Sequence, residues 1–149
     1  MMNEETKHKK GEEILAEIYR NCQLAIQSIS NILPETEDEE LRSEMESQHE
    51  AYEKISAKAC VIAKNKNIEL KEPNPMKKMM MWGSIKMNTL TDGSRSHVAE
   101  MMIQGTVMGI TSLKTTATKA ECEDEEICSL MEELILLEEK FEKKLKGYL

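Results

Sequence analysis

Glu46-Ser47-Gln48-His49 sets a carboxylate and an imidazole three apart in a helical pattern. That spacing puts both on one helix face, where they have the donor types for a metal ion. A stable ion site needs several such donors converging. His8 falls in a polar N-terminal stretch and His97 in the first turn of a predicted helix, so neither completes a set. We read Glu46 and His49 as surface polar residues.

The four cysteines, Cys22, Cys60, Cys122 and Cys128, form no C-x-x-C pair. Cys122 and Cys128 are six apart, a poor helical spacing for a metal, and no histidine stands near any of the four in sequence. Nucleophilic catalysis therefore has no support, and buried structural thiols are expected. No secretory signal opens the sequence, which leads us to expect reduced cysteines and a cytoplasmic protein.

Met76-Lys77-Lys78-Met79-Met80-Met81-Trp82 is the most unusual run. It reads first as the apolar face of a short helix lying across other helices. Met79, Met80 and Trp82 are a possible partner surface. A thioether copper(I) site is disfavoured by Lys77 and Lys78.

Composition excludes other classes. One Trp, one Phe and three Tyr are too few for a base-stacking platform, and a net charge of −8 opposes a phosphate backbone. No nucleic acid partner is expected. Gly105 and Gly109 sit four apart inside a helical pattern, a spacing that lets helices approach closely and not a phosphate loop. The acidic runs at 35–40 and 121–126 lack an EF-hand loop and read as solvated helix starts.

The elements that would position these residues are helices. The stretch 101–113 carries no charged side chain yet is too short to cross a membrane, so no membrane insertion is expected. We read it as the buried central helix of a bundle. Apolar residues at 3–4 spacing predict a helix over 11–33 (Ile14, Ile18, Cys22, Ala25, Ile29, Leu33), stopped by Pro34. Thr36-Glu37-Asp38-Glu39 resembles a capping box opening a helix over 37–67. Pro73 and Pro75 break the pattern, and a short helix is predicted over 76–90. Helices over 95–119 and 124–147 follow, the last with Ile127, Leu130, Met131, Leu134, Leu137, Phe141 and Leu145 inward. Residues 1–10 are expected to be a flexible tail and 11–149 a single all-α domain.

The chain carries an internal repeat signal. The segment 37–46, EDEELRSEME, answers 123–132, EDEEICSLME, at an offset of 86. Upstream, Ile26-Gln27-Ser28-Ile29 answers Ile110-Thr111-Ser112-Leu113 at an offset of 84. Two such hairpins joined by a long connection make an antiparallel four-helix bundle with one crossover.

On the Trp82-x-x-Ile85-Lys86 crossover, the Ala99–Gly105 opening AEMMIQG and the acidic start of the last helix, the chain resembles the ferritin-like superfamily. It is similar to bacterial ferritin-like bundle proteins and spore-coat F-like helical proteins. The resemblance implies a ferritin-like bundle and a di-iron site with one Glu on each of two helices and Glu-x-x-His on the others. Carried onto this chain, that register keeps Glu138 and puts Phe141 in place of His. The repeat mates are Tyr52 and Ile55, and Thr106 and Cys22 replace the remaining glutamates. We therefore expect no cofactor, no catalytic residue and a packed centre. The expected protein is non-catalytic and acts through protein contacts, as a homo-oligomer (dimer) or a coat-type, spore-associated component. The alternative is a divergent iron or other divalent-metal site drawing on Glu17, Glu46, His49, Glu100 or Glu138.

Overall fold

The structure, a computed structural model, describes residues 4–72 and 92–149. Those residues are all-helical: four long helices and no strand among them. The predicted 76–90 helix, with Met79, Met80 and Trp82, lies outside the described residues.

Helix α1, Glu4–Ile32, buries Ile14, Leu15, Ile18, Cys22, Ile29 and Ile32 along one stripe. It begins seven residues before the expected start, because Glu and Lys sustain a helix without any apolar period. Pro34 lies in the single 3-10 turn Leu33–Glu35 that ends it. Helix α2, Glu39–Asn65, opens on Asp38, whose side chain accepts from Leu41 N at 2.8 Å. The expected capping role of Thr36 is corrected here. Its hydroxyl is buried and donates to Ile32 O at 3.0 Å, so Asp38 takes the cap.

Helix α2 closes on Asn67 in the left-handed region (φ 57°). Ile68 N bonds Ala63 O at 2.8 Å and Asn67 N bonds Lys64 O at 3.3 Å, the two reverse bonds of a Schellman ending. Helix α3 is Arg95–Ala120 and helix α4 is Glu125–Lys146. Asp124 caps α4 as Asp38 caps α2, accepting from Ile127 N at 3.2 Å. Lys143, Lys144 and Lys146 complement the negative end of α4.

Pairings along the helices give their relative directions. Ser30 meets His49 and Gln23 meets Ser56, so α1 and α2 run oppositely. Glu44 with Lys144, Lys58 with Glu133 and Lys66 with Asp124 set α2 against α4 in the same manner. Glu17 with Ser112, and Asn21 beside Gly109, do so for α1 and α3. The start of α3 sits by the start of α2: Glu37 N bonds Gly93 O at 3.1 Å. A Cβ on Gly93 would lie 2.0 Å from Glu35 O, so this corner admits only glycine. The end of α2 meets the start of α4 through Lys66 and Asp124. The connection between α2 and α3 therefore leaves one end of the bundle and re-enters at the other.

Three expectations change. Helix α3 is not a wrapped central helix, since Gln104, Val107, Met108 and Thr111 are exposed. Its small residues place one face against α1 and leave the other to solvent. On α4, Leu137 packs only partly buried against the core, while Glu138 beside it is 1% exposed. The four cysteines are not all thiols, for Cys122 and Cys128 form a disulfide with Cα atoms 5.9 Å apart. Glu121, left-handed at φ 49°, turns the chain so that Cys122 meets the first turn of α4. Cys22 and Cys60 remain free, buried and exposed respectively. The bond departs from the reduced cysteines that were expected. No helix among the described residues is long and apolar enough to cross a membrane.

Candidate functional site: a buried carboxyl at the bundle centre

Three helices contribute polar side chains to a cluster inside the apolar core, and α3 closes it. Helical spacing of Ile18, Cys22 and Ile29 turns Asn21 inward at the side of α1 that faces α3. Tyr52 comes from the buried stripe of α2 and Glu138 from that of α4. Asn21 Nδ2 donates to Glu138 Oε1 at 2.8 Å, and Tyr52 OH donates to Glu138 Oε2 at 2.9 Å. Phe141 stands edge-on to Tyr52, ring centroids 5.5 Å apart.

Gly109 of α3 closes the fourth side. A Cβ there would lie 2.7 Å from Glu138 Oε2 and 2.9 Å from Asn21 Nδ2. The backbone of α3 thus approaches the pair more closely than a side chain permits. Thr106 turns its hydroxyl away, donating to Met102 O at 2.7 Å.

Burial governs the electrostatics. It pushes the Glu138 carboxyl up to about 7, although the Tyr52 and Asn21 hydrogen bonds pull the other way. Burial, then the Glu138 charge, holds the Tyr52 hydroxyl well above its usual range. The same two causes raise the Cys22 thiol, so Cys22 is neutral and a poor nucleophile.

The candidate ligands for a divergent metal centre are not brought together. Glu46 and Glu100 are exposed. His49 is partly exposed, bonded to Ser30 Oγ at 3.1 Å and paired with Glu53 at 2.6 Å. Glu17, expected at a rim, is buried at 4% exposure, where it accepts from Ser112 and pairs with Arg20. Ser112 and Arg20 give the buried carboxyl its polar partners. Among the described residues, no three His, Cys, Asp or Glu side chains form a group that could hold a metal.

The two-ion site implied by the ferritin-like resemblance does not fit these donors. Glu138 is one carboxyl with both oxygens hydrogen-bonded, and its neighbours Asn21, Tyr52, Cys22 and Phe141 supply no second carboxylate or imidazole. The sequence reading named Tyr52, Thr106, Cys22 and Phe141 as the centre, and all four are buried there. It missed Asn21. The available signal was a polar residue between Ile18 and Cys22 in an otherwise apolar period. No protein-family model, curated protein or solved structure matches the chain.

Proposed function

We propose that the protein is a non-catalytic, ferritin-like four-helix scaffold with no resident metal centre, acting through protein contacts in a structural or coat-type role. The arrangement is supported by opposed directions for α1–α2, α2–α4 and α1–α3, and by a connection that re-enters at the far end. The equivalent caps at Asp38 and Asp124, 86 residues apart, support the reading of two related hairpins. The carrying observation is that both oxygens of Glu138 accept hydrogen bonds from protein groups. A carboxyl so occupied acts as a packing element.

Elemental analysis of protein purified without chelator tests the metal-free reading. Iron, manganese and zinc are expected well below one atom per chain; a stoichiometric metal overturns it. Size-exclusion chromatography with light scattering tests self-association. A dimer mass is expected, and a monomer at all concentrations removes the homo-oligomer from the proposal.

A further inference from the structure

The acidic run at 121–126 holds Cys122 and leads into Cys128, its disulfide partner. Glu121, Glu123, Asp124, Glu125 and Glu126 all stand beside or between the two cysteines. Lys66 pairs with Asp124 at 2.8 Å and with Glu126 at 3.8 Å, and Lys119 lies in the last turn of α3. Five carboxylates against these two cations leave the corner negative. Its field draws positive partners and repels anions.

Both cysteines are partly exposed. Several contacts hold the corner besides their bond. Asp124 caps α4 through Ile127 N, and its carbonyl accepts from Cys128 N at 2.8 Å. Ile127 is 1% exposed, and Lys66 ties Asp124 to the end of α2. Opening the bond therefore leaves two thiols across a short loop, placed to reclose. The two sulfurs differ in setting. Cys122 follows the C-terminal, negative end of α3, while Cys128 lies in the first turn of α4, at its positive end. A thiolate is better held on Cys128, which makes Cys128 the leaving group.

We propose that Cys122–Cys128 is an exchangeable disulfide of the folded protein, selective for a dithiol carried on a positively charged partner. An incoming thiolate attacks Cys122 Sγ. The Cys122–Cys128 bond breaks, and its electron pair leaves on Cys128 Sγ, which takes a proton from solvent. The partner's second thiol then attacks its own sulfur in the mixed disulfide, releasing Cys122. Two electrons and two protons pass to this chain, and the partner is left as a disulfide.

Charged monothiols test this on the native protein. Cysteamine carries an ammonium and mercaptoacetate a carboxylate. Aliquots are acid-quenched, alkylated and weighed by intact mass spectrometry, and each rate is divided by that thiolate's rate on uncharged 2-hydroxyethyl disulfide. Free thiols are expected to rise from two to four while circular dichroism stays helical. Cysteamine should be favoured roughly 7-fold or more, as a potential of one to several kT gives for probes two charges apart. Glu125→Gln with Glu126→Gln, which keeps the Asp124 cap, should shrink that preference, as should roughly 0.5 M NaCl. Peptide mapping early in the reaction should find the adduct on Cys122. A bond that resists thiols until denaturant is added, or a helical spectrum lost as it opens, would overturn the exchange. Equal rates for the two thiols would overturn the charge selectivity, and an adduct on Cys128 the leaving-group assignment.

Discussion

Tyr52 and Glu138 occupy corresponding positions in the two hairpins, 86 residues apart, and bond to each other across the bundle centre at 2.9 Å. The residues that the repeat pairs in sequence are thus paired in space. Where a symmetric centre would carry two like groups, this one carries a donor on one side and an acceptor on the other. Two buried carboxylates would need a cation or a proton between them, while a phenol and a carboxyl satisfy one another.

Tyr52→Phe keeps the ring against Phe141 and removes the donor to Oε2. The buried carboxyl then loses one of its two partners, which costs about 1–3 kcal/mol. Urea unfolding should show a lower midpoint with an unchanged slope.

Glu138 should leave a signature in the pH dependence of stability. Its folded value near 7 lies above the ordinary carboxyl value of 4.5, so the folded state holds its proton longer. The group's favourable contribution is therefore complete below about 4.5 and is lost as pH rises through about 7. Glu138→Gln removes this titration. Relative to Glu138→Gln, the parent protein should lose on the order of 3 kcal/mol between pH 4.5 and pH 8, read from unfolding curves across that window.

Gly109→Ala adds a methyl group 2.7 Å from Glu138 Oε2. Alanine gains up to about 1 kcal/mol of helix propensity. The atoms it meets are fixed to each other by the Asn21–Glu138 bond, so overpacking of about 1–3 kcal/mol should prevail. Gly109→Leu should unfold or rearrange the bundle. Thermal melts and one-dimensional proton spectra separate these outcomes.

The Cys122–Cys128 bond closes a short loop at the α3–α4 corner. Chain-entropy arithmetic for so short a loop gives roughly 2 kcal/mol. Reduction, or Cys128→Ser, should lower stability by about that amount. A thiol titration of unreduced, denatured protein should find two thiols, Cys22 and Cys60, and not four.

His49→Ala should change unfolding free energy by only about 0.5 kcal/mol. Its partners Ser30 and Glu53 lie at the surface, where water replaces a lost bond. A loss above 2 kcal/mol would show that the imidazole supports the core.

Much of the fold was legible from local chemistry. The stripe Ile14, Ile18, Cys22 and Ile29 announces α1, Pro34 its end, and the EDEE runs the starts of α2 and α4. These signals need only the chain's own period, dihedral limits and helix-end electrostatics. Helix ends were less exact: Thr36 and Asp38 both suit a cap, and only the buried position of the Thr36 hydroxyl decided between them.

By itself, the sequence determined that the described residues are helical and which of them, Cys22, Tyr52, Thr106 and Phe141, stand at the centre. Residue type and helical period suffice for the helices and their buried stripes, because these are properties of each segment alone. The tertiary structure alone decided that Glu138 is sealed from solvent while Leu137 is only partly buried, and that Asn21 reaches Glu138. It likewise decided that Cys122 and Cys128 meet. Each of these depends on the rotation of one helix against another, or on a turn at a single left-handed residue. A spacing pattern along one strand of sequence contains neither.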